Sequence, residues 1–161
     1  MTDPPAEILR RLRPIPTTSG PPTTVPRDVV GVAPDGTACR VEIEDASAPV
    51  LLLFLSAGCL GCRDLWEGLA ALRTGLGEAA RLAVVTKSPE DEDAQAIAAL
   101  AGDSVQRLGI TVVMSAAAFR DYRVGGPPFL VVAASDVVRT ESVAWGVEQT
   151  LHTALVALGR T

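Results

Sequence analysis

The stretch PVLLLFLS (Pro49–Ser56), running on into Ala57-Gly58-Cys59-Leu60-Gly61-Cys62, decides the fold. An apolar run without polar alternation marks a strand covered on both faces. Directly after it, Cys62, Leu65, Trp66, Leu69 and Leu72 recur at helical spacing, one buried stripe of an amphipathic helix. Two cysteines therefore sit at a junction between a buried strand and a helix.

Working outward, VVGVAPDGTACRVEI (Val29–Ile43) reads as two short strands about a Pro34-Asp35-Gly36 turn. RLAVVT (Arg81–Thr86) is a second buried strand. SPEDEDAQAIAAL (Ser88–Leu100) predicts a helix, with Ser88 as cap, Pro89 at the first helical position and Asp91 completing an acidic capping pattern. ITVVM (Ile110–Met114) predicts a short strand and SAAAFRDY (Ser115–Tyr122) a short helix. PFLVVAA and VVRTESVA, joined by Ser135-Asp136, predict an antiparallel hairpin. Val147, Leu151, Ala154, Leu155 and Leu158 make a closing amphipathic helix. The order is hairpin, β-α-β-α, a short β-α step, then β-β-α. It predicts an α/β domain: a three-layer sandwich whose central mixed sheet carries helices on both faces, extended by an N-terminal β-hairpin.

At 161 residues the chain has the size of one ordinary domain, and 48% hydrophobic residues can fill a core. A net charge of -5 leaves no basic stripe for nucleic acid. Three cysteines are too few for a disulfide-stapled scaffold. Residues 1–28 hold seven of the 12 prolines, interspersed with threonines, and read as a flexible solvated arm; residues 29–161 form the domain. Within the arm, Ala6–Leu12 could make two helical turns, and Arg10, Arg11 and Arg13 offer a membrane-surface contact, against the plainer reading of a frayed arm. The N-terminus has no apolar signal region, and no segment approaches the ~20 apolar residues that span a bilayer. The expected location is cytoplasmic; an N-terminal anchor removed from this sequence would instead place the domain on the extracytoplasmic face of the membrane.

The chemistry concentrates at Cys59-Leu60-Gly61-Cys62. Cysteines three apart across a helix's first turn can bring their sulfurs together. A helix N-terminus also favours thiolate, the attacking species in disulfide exchange. Cys59 is read as the exposed nucleophile and Cys62, on the apolar stripe, as the buried resolving thiol. Half a zinc site and a chance pair remain the plainer readings. Zinc wants four ligands, and only Cys39 and the lone His152 are left to supply them. Cys39 reads as a small buried hydrophobe and His152 as a surface-edge residue. The acid run Glu90–Asp93 reads as first-turn helix acids rather than a metal site. A second element is Val124-Gly125-Gly126-Pro127-Pro128-Phe129-Leu130, two prolines opening an apolar strand after two glycines. That is a fixed, tight backbone in which one X-Pro bond can be cis, or an ordinary loop before a strand.

Together these residues resemble the thioredoxin-like superfamily: LLLFLSAGCLGCRDLW matches its strand–CxxC–helix start and YRVGGPPFLVV its cis-proline strand. The N-terminal hairpin and an insertion around residues 88–120 resemble the TlpA-like thiol–disulfide oxidoreductases. Phe54-Leu55-Ser56, Met114-Ser115-Ala116, Tyr122–Gly125 and Pro128-Phe129 resemble the methylamine-utilisation accessory (MauD-type) branch. The resemblance covers about residues 29–159.

The resemblance implies a redox pair of Cys59 and Cys62, with Pro128 as the cis-proline facing them. Substrate contacts would come from Pro127 and Pro128 and from Leu60 and Gly61. It implies no bound cofactor or metal, only the redox-active disulfide, and as partners protein thiols or disulfides plus a redox partner. Leu53 stands where thioredoxins bury an aspartate, and Leu65 where some TlpA relatives carry a glutamate. Gly58 stands where a Trp precedes the first Cys. The alternative function is a redox-inert thioredoxin-like protein-binding module. A peroxiredoxin fits poorly, because Leu55–Gly58 lacks that family's Pro and Thr. Gly125-Gly126 lacks the spacing of a dinucleotide loop.

Overall fold

The protein is described from a computed structural model covering residues 24–160. The helical turns expected at Ala6–Leu12 and the contacts of Arg10, Arg11 and Arg13 lie outside the described residues. The strands are β1 (Val29–Val32), β2 (Ala38–Val41), β3 (Val50–Phe54), β4 (Arg81–Thr86), β5 (Thr111–Met114), β6 (Phe129–Ala133) and β7 (Val138–Val143). A 3-10 turn (Leu60–Cys62) leads into α1 (Arg63–Glu67) and α2 (Leu69–Leu76). The remaining helices are α3 (Ala94–Arg107), α4 (Ala116–Asp121) and α5 (Gly146–Ala157).

The strands form one seven-stranded sheet in the order β2-β1-β5-β4-β3-β6-β7. β3–β4 and β4–β5 are parallel; β3–β6, β6–β7, β1–β2 and β1–β5 are antiparallel. The sheet is mixed, as the sequence order predicts. The parallel pairs come from β-α-β crossovers; the antiparallel pairs β1–β2 and β6–β7 are hairpins, and β1–β5 and β3–β6 join each hairpin to the parallel strands.

β3 is central and wholly buried, and its side chains divide by pleat. Leu51, Leu53 and Leu55 point into a core shared with Leu65, Trp66, Leu69, Leu72, Leu76, Ile97 and Ala154 of the helices on one face. Val50, Leu52 and Phe54 point into a second core with Ala118, Phe119 and Tyr122. Three layers follow, with α4 alone closing the second face. Phe54 meets Phe119 edge-to-face at 5.0 Å.

The helix expected after Cys62 is interrupted at Gly68. Gly68 and Gly75 let α5 come close: a Cβ at Gly68 would intrude on Val147, and one at Gly75 would lie 2.9 Å from Leu151 Cδ1. The helix expected from Ser88 begins later. Ser88 C=O accepts from the Asp91 and Glu92 N–H groups (2.9 and 3.0 Å), closing a tight turn, and Asp93 Oδ1 accepts from Gln95 N–H (2.9 Å) at the true helix start. Ser88 Oγ is taken by Ala116 N–H at 2.8 Å, so it caps nothing in its own segment. Tertiary demand on the hydroxyl overrides the local capping pattern.

Thr24–Asp28, grouped by composition with the arm, pack on the domain. Thr24 is buried and its hydroxyl donates to Glu141. The Tyr122 hydroxyl accepts from Arg27 N–H at 2.9 Å and donates to the Arg27 carbonyl. Asp28 Oδ1 accepts from the Ile43 and Glu44 N–H groups, and Oδ2 pairs with Arg40. Those amide hydrogen bonds, Glu44's first, and the Arg40 guanidinium hold the Asp28 carboxyl down at about 2.

Candidate active site

Beyond the C-terminal end of β3, Ser56–Gly58 turn the chain toward the helices. Trp66, buried on α1, donates its indole N–H to the Ser56 carbonyl at 3.1 Å, tying that turn to the helix. Cys59 precedes the 3-10 turn in extended conformation, and Cys62 N–H donates to its carbonyl at 3.2 Å. The first turn is thus 3-10, with α1 starting only at Arg63. This differs from the α-helical N-terminus expected for Cys59.

The two thiols lie close together. Cys59 is partly exposed, whereas Cys62 is fully buried among Leu53, Leu65 and Leu130 of the first core. Burial pushes the Cys62 thiol up to about 12, and its hydrogen bond to the Cys59 sulfur helps to hold its proton. The Ser56 backbone N–H works the other way, and the charges of Cys59 and Glu92 add to the rise. The exposed/buried division expected for the pair is present.

Across from the pair, the Pro127–Pro128 peptide bond is cis. Cys59 Sγ lies 3.7 Å from the Pro127 carbonyl oxygen, near enough for a weak thiol hydrogen bond. The Gly61 Cα faces the Pro128 ring, where a Cβ would sit 3.5 Å from Cγ and Cδ. Ala144 N–H donates to the Pro128 carbonyl at 3.1 Å, fixing the proline segment to the end of β7. Leu60, between the cysteines, is 88% exposed, and Trp145, next to Ala144, is 72% exposed. All six residues singled out from the sequence, Cys59, Leu60, Gly61, Cys62, Pro127 and Pro128, therefore lie beyond the C-terminal end of β3.

Cys39 and His152 do not join them. Cys39 lies on β2, its thiol 3.9 Å from the Val112 carbonyl; burial, with the Asp35 charge, pushes that thiol up. His152 is exposed on α5. No three His, Cys, Asp or Glu side chains among the described residues are grouped to hold a metal. No helix among them is long and apolar enough to cross a membrane.

One contributor was not recognisable in the sequence. Glu92, within an acid run that looked like solvated helix-start residues, turns inward. Its Oε2 accepts from Ala57 N–H at 3.5 Å, beside the first cysteine's turn. It lines a cavity of ≈ 310 Å³ with Leu55, Ser56, Lys87, Asp91, Phe119 and Pro127.

The fold is that of thioredoxin-like proteins. StoA from Bacillus subtilis superposes with a TM-score of 0.60 at 12% identity, over 80% of this chain and 97% of that one. A thiol:disulfide interchange protein of the thioredoxin family from Chlorobium tepidum TLS gives 0.60 at 19% identity, over 87% and 99%. Peroxidoxin BcpB from Mycobacterium tuberculosis gives 0.60 at 20% identity, over 84% and 94%. No protein-family model matches the sequence, and no curated protein matches it by sequence. At these identities the likeness is one of fold.

Proposed function

We propose that this protein is a thiol–disulfide oxidoreductase that exchanges disulfides with protein substrates, with Cys59 as nucleophile and Cys62 as resolving thiol. The observation that carries this reading is a half-exposed thiol and a buried one close together, the first lying 3.7 Å from the Pro127 carbonyl oxygen. Cys59 as thiolate attacks a substrate disulfide, forming a mixed disulfide and releasing one substrate sulfur as thiolate. Cys62 loses its proton and attacks Cys59 Sγ. The Cys59–Cys62 disulfide forms and the second substrate thiol departs. The substrate gains two electrons and the protein pair loses them; oxidation of a substrate runs the same steps backwards. The pair itself carries the electrons, so no bound cofactor or metal is invoked.

The surroundings suit an extended substrate segment. Leu60 offers an exposed apolar contact beside the nucleophile. Pro127 has no N–H, so its backbone offers a substrate strand only its carbonyl, the group already beside Cys59 Sγ. The motif pattern favours the TlpA-like group and, within it, the methylamine-utilisation accessory branch. Buried apolar Leu53 and Leu65 support a second reading, a redox-inert module that binds proteins through the same face. Cys59→Ser should abolish reduction of a model disulfide protein, while Cys62→Ser should accumulate a mixed disulfide visible as added mass. Undiminished activity in Cys59→Ser overturns the assignment. Partners retained equally by Cys59→Ser and wild type, with no exchange, favour the binding module.

A further inference from the structure

The ends of β4 and α4 carry a group of cations that the exchange chemistry leaves unused. Lys87, directly after β4, and Arg120 and Arg123, at the end of α4, line one open cavity of ≈ 450 Å³. All three residues are exposed, and none is ion-paired among the described residues, where the salt bridge is Arg40–Asp28. We propose that this cavity binds an acidic segment of the protein substrate, taking up carboxylate side chains that flank the disulfide attacked by Cys59. The proposal deepens the disulfide-exchange reading and rests on it.

The cations stand where a bound substrate chain can reach them. Their cavity shares Lys87, Asp91 and Phe119 with the ≈ 310 Å³ cavity beside it, which continues to Ser56 and Pro127. The Pro127 carbonyl oxygen lies 3.7 Å from Cys59 Sγ, so an extended segment following the two cavities leads from the cations to the nucleophile. The fold also holds the cations in place. The Lys87 ammonium sits 5.7 Å over the Phe119 ring, which itself packs edge-to-face on Phe54. Among the described residues Arg123 alone of the non-glycines has a positive φ (55°), a conformation glycine would adopt without strain. Its turn is closed by its own N–H on the Arg120 carbonyl (3.1 Å) and by Val124 N–H on the Phe119 carbonyl (2.9 Å). Both arginines are thereby rooted beside the loop that leads into Pro127.

Charge sets the class of partner. The chain carries -5 overall, so its general field repels an acidic peptide and any attraction has to come from a local excess of cations. On the cavity wall three cations face one carboxylate, Asp91. Glu92, in the adjoining cavity, is turned to Ala57 N–H. The planar fork of an arginine matches a carboxylate through two parallel hydrogen bonds, and two such forks stand here beside a lysine. Glutamate and aspartate are the anions a protein substrate brings. Exposed ion pairs are individually weak, so recognition needs several acids in a row and should fade with salt.

Two peptides test this on the full chain, each carrying a single cysteine as its mixed disulfide with thionitrobenzoate, flanked on both sides by glutamates in one and by glutamines in the other. Reduced protein converts either peptide to its free thiol and releases the thionitrobenzoate chromophore, while Cys59 and Cys62 become a disulfide. Each second-order rate is divided by that of the same peptide with dithiothreitol, which removes the peptide's intrinsic reactivity. At low ionic strength the glutamate peptide should react about tenfold faster than the glutamine peptide, and the two should converge to within about twofold at about 0.5 M salt. In Lys87→Gln/Arg120→Gln/Arg123→Gln the ratio should fall to about one. In Arg107→Gln/Arg139→Gln/Arg160→Gln, an equal change of net charge at exposed sites elsewhere, it should stay near ten. Equal rates for the two peptides in wild type overturn the proposal while leaving the cysteine assignment intact; binding of phosphatidylglycerol vesicles by wild type but not by the first variant would then assign the cations to a membrane surface. A ratio lost equally in both variants is an effect of net charge and also overturns it. A wild type that releases no thionitrobenzoate from either peptide overturns the exchange reading, and this proposal with it.

Discussion

The notch between α1–α2 and α5 offers a stringent test of the packing that holds the CxxC segment, through the pair Gly68 and Val147. A Cβ built on Gly68 would intrude on Val147 Cγ2, lie 3.4 Å from Val147 Cβ, and lie 3.0 Å from the Asp64 carbonyl. Valine is stiff about χ1 and Val147 packs against the core, so it cannot simply swing aside. Overpacking of this kind costs ~1–3 kcal/mol. Against it stands up to about 1 kcal/mol from replacing glycine by alanine beside helical residues. Gly68→Ala alone should therefore destabilise by about 1–2 kcal/mol. In a Val147→Ala background the space is open, and the same substitution should become neutral or stabilising. The coupling energy between the two sites should be about 2 kcal/mol, within the range for residues in contact. Urea unfolding followed by circular dichroism gives all four stabilities, with a constant m-value as the check on two-state behaviour. Effects that add to within ~0.5 kcal/mol would refute the close approach of these helices.

Other consequences are tested more briefly. Burial raises Cys62 from an ordinary thiol value of 9.0 to about 12, and burial, with the charges of Asp121, Asp28 and Glu44 and against the Arg27 backbone hydrogen bond, raises Tyr122 to about 12 as well. Between about pH 9 and 12 the folded state keeps protons that the unfolded chain has lost, so stability should fall with rising pH across that window. Cys62→Ser should make the fall shallower, and an unchanged slope contradicts this. Asp28 has the opposite sign: its stabilisation is present above its ordinary 3.8 and is lost as pH falls toward 2. Asp28→Ala should flatten the acid limb of the urea-midpoint profile. Tyr122→Phe removes the hydroxyl that bridges both backbone groups of Arg27 and should cost ~1–3 kcal/mol in urea unfolding. It should also speed tryptic cleavage at exposed Arg27; a cleavage rate equal to wild type's refutes the tether.

Much of this fold is written in local pattern. Pro49–Ser56 is apolar without alternation because β3 is covered by a core on each face, and the cysteines' place follows from where that strand must end. The hairpins declare themselves through turn residues such as Pro34-Asp35-Gly36. What the pattern misses is tertiary. Ser88 looks like a helix cap because its local chemistry is right, yet a backbone N–H 28 residues away claims the hydroxyl. Thr24–Asp28 share the arm's composition but pack through hydrogen bonds to Tyr122, Glu141, Ile43 and Glu44 that no composition encodes. Glu92 is one of four consecutive acids, and only the folded turn distinguishes it from its neighbours. Leu53 and Leu65, where the resembled families carry carboxylates, are legible in the sequence, whereas the contact of Glu92 with Ala57 N–H is not.

Mass-spectrometric thiol counting across a series of glutathione redox buffers tests the central claim most directly. The account predicts that Cys59 and Cys62 interconvert between dithiol and disulfide in one two-electron step, while Cys39 stays alkylatable throughout. The midpoint should fall within the ~150 mV span, from about −270 to −120 mV, of proteins that trade disulfides. A pair that never closes, or a disulfide that no buffer in the series can open, would contradict it.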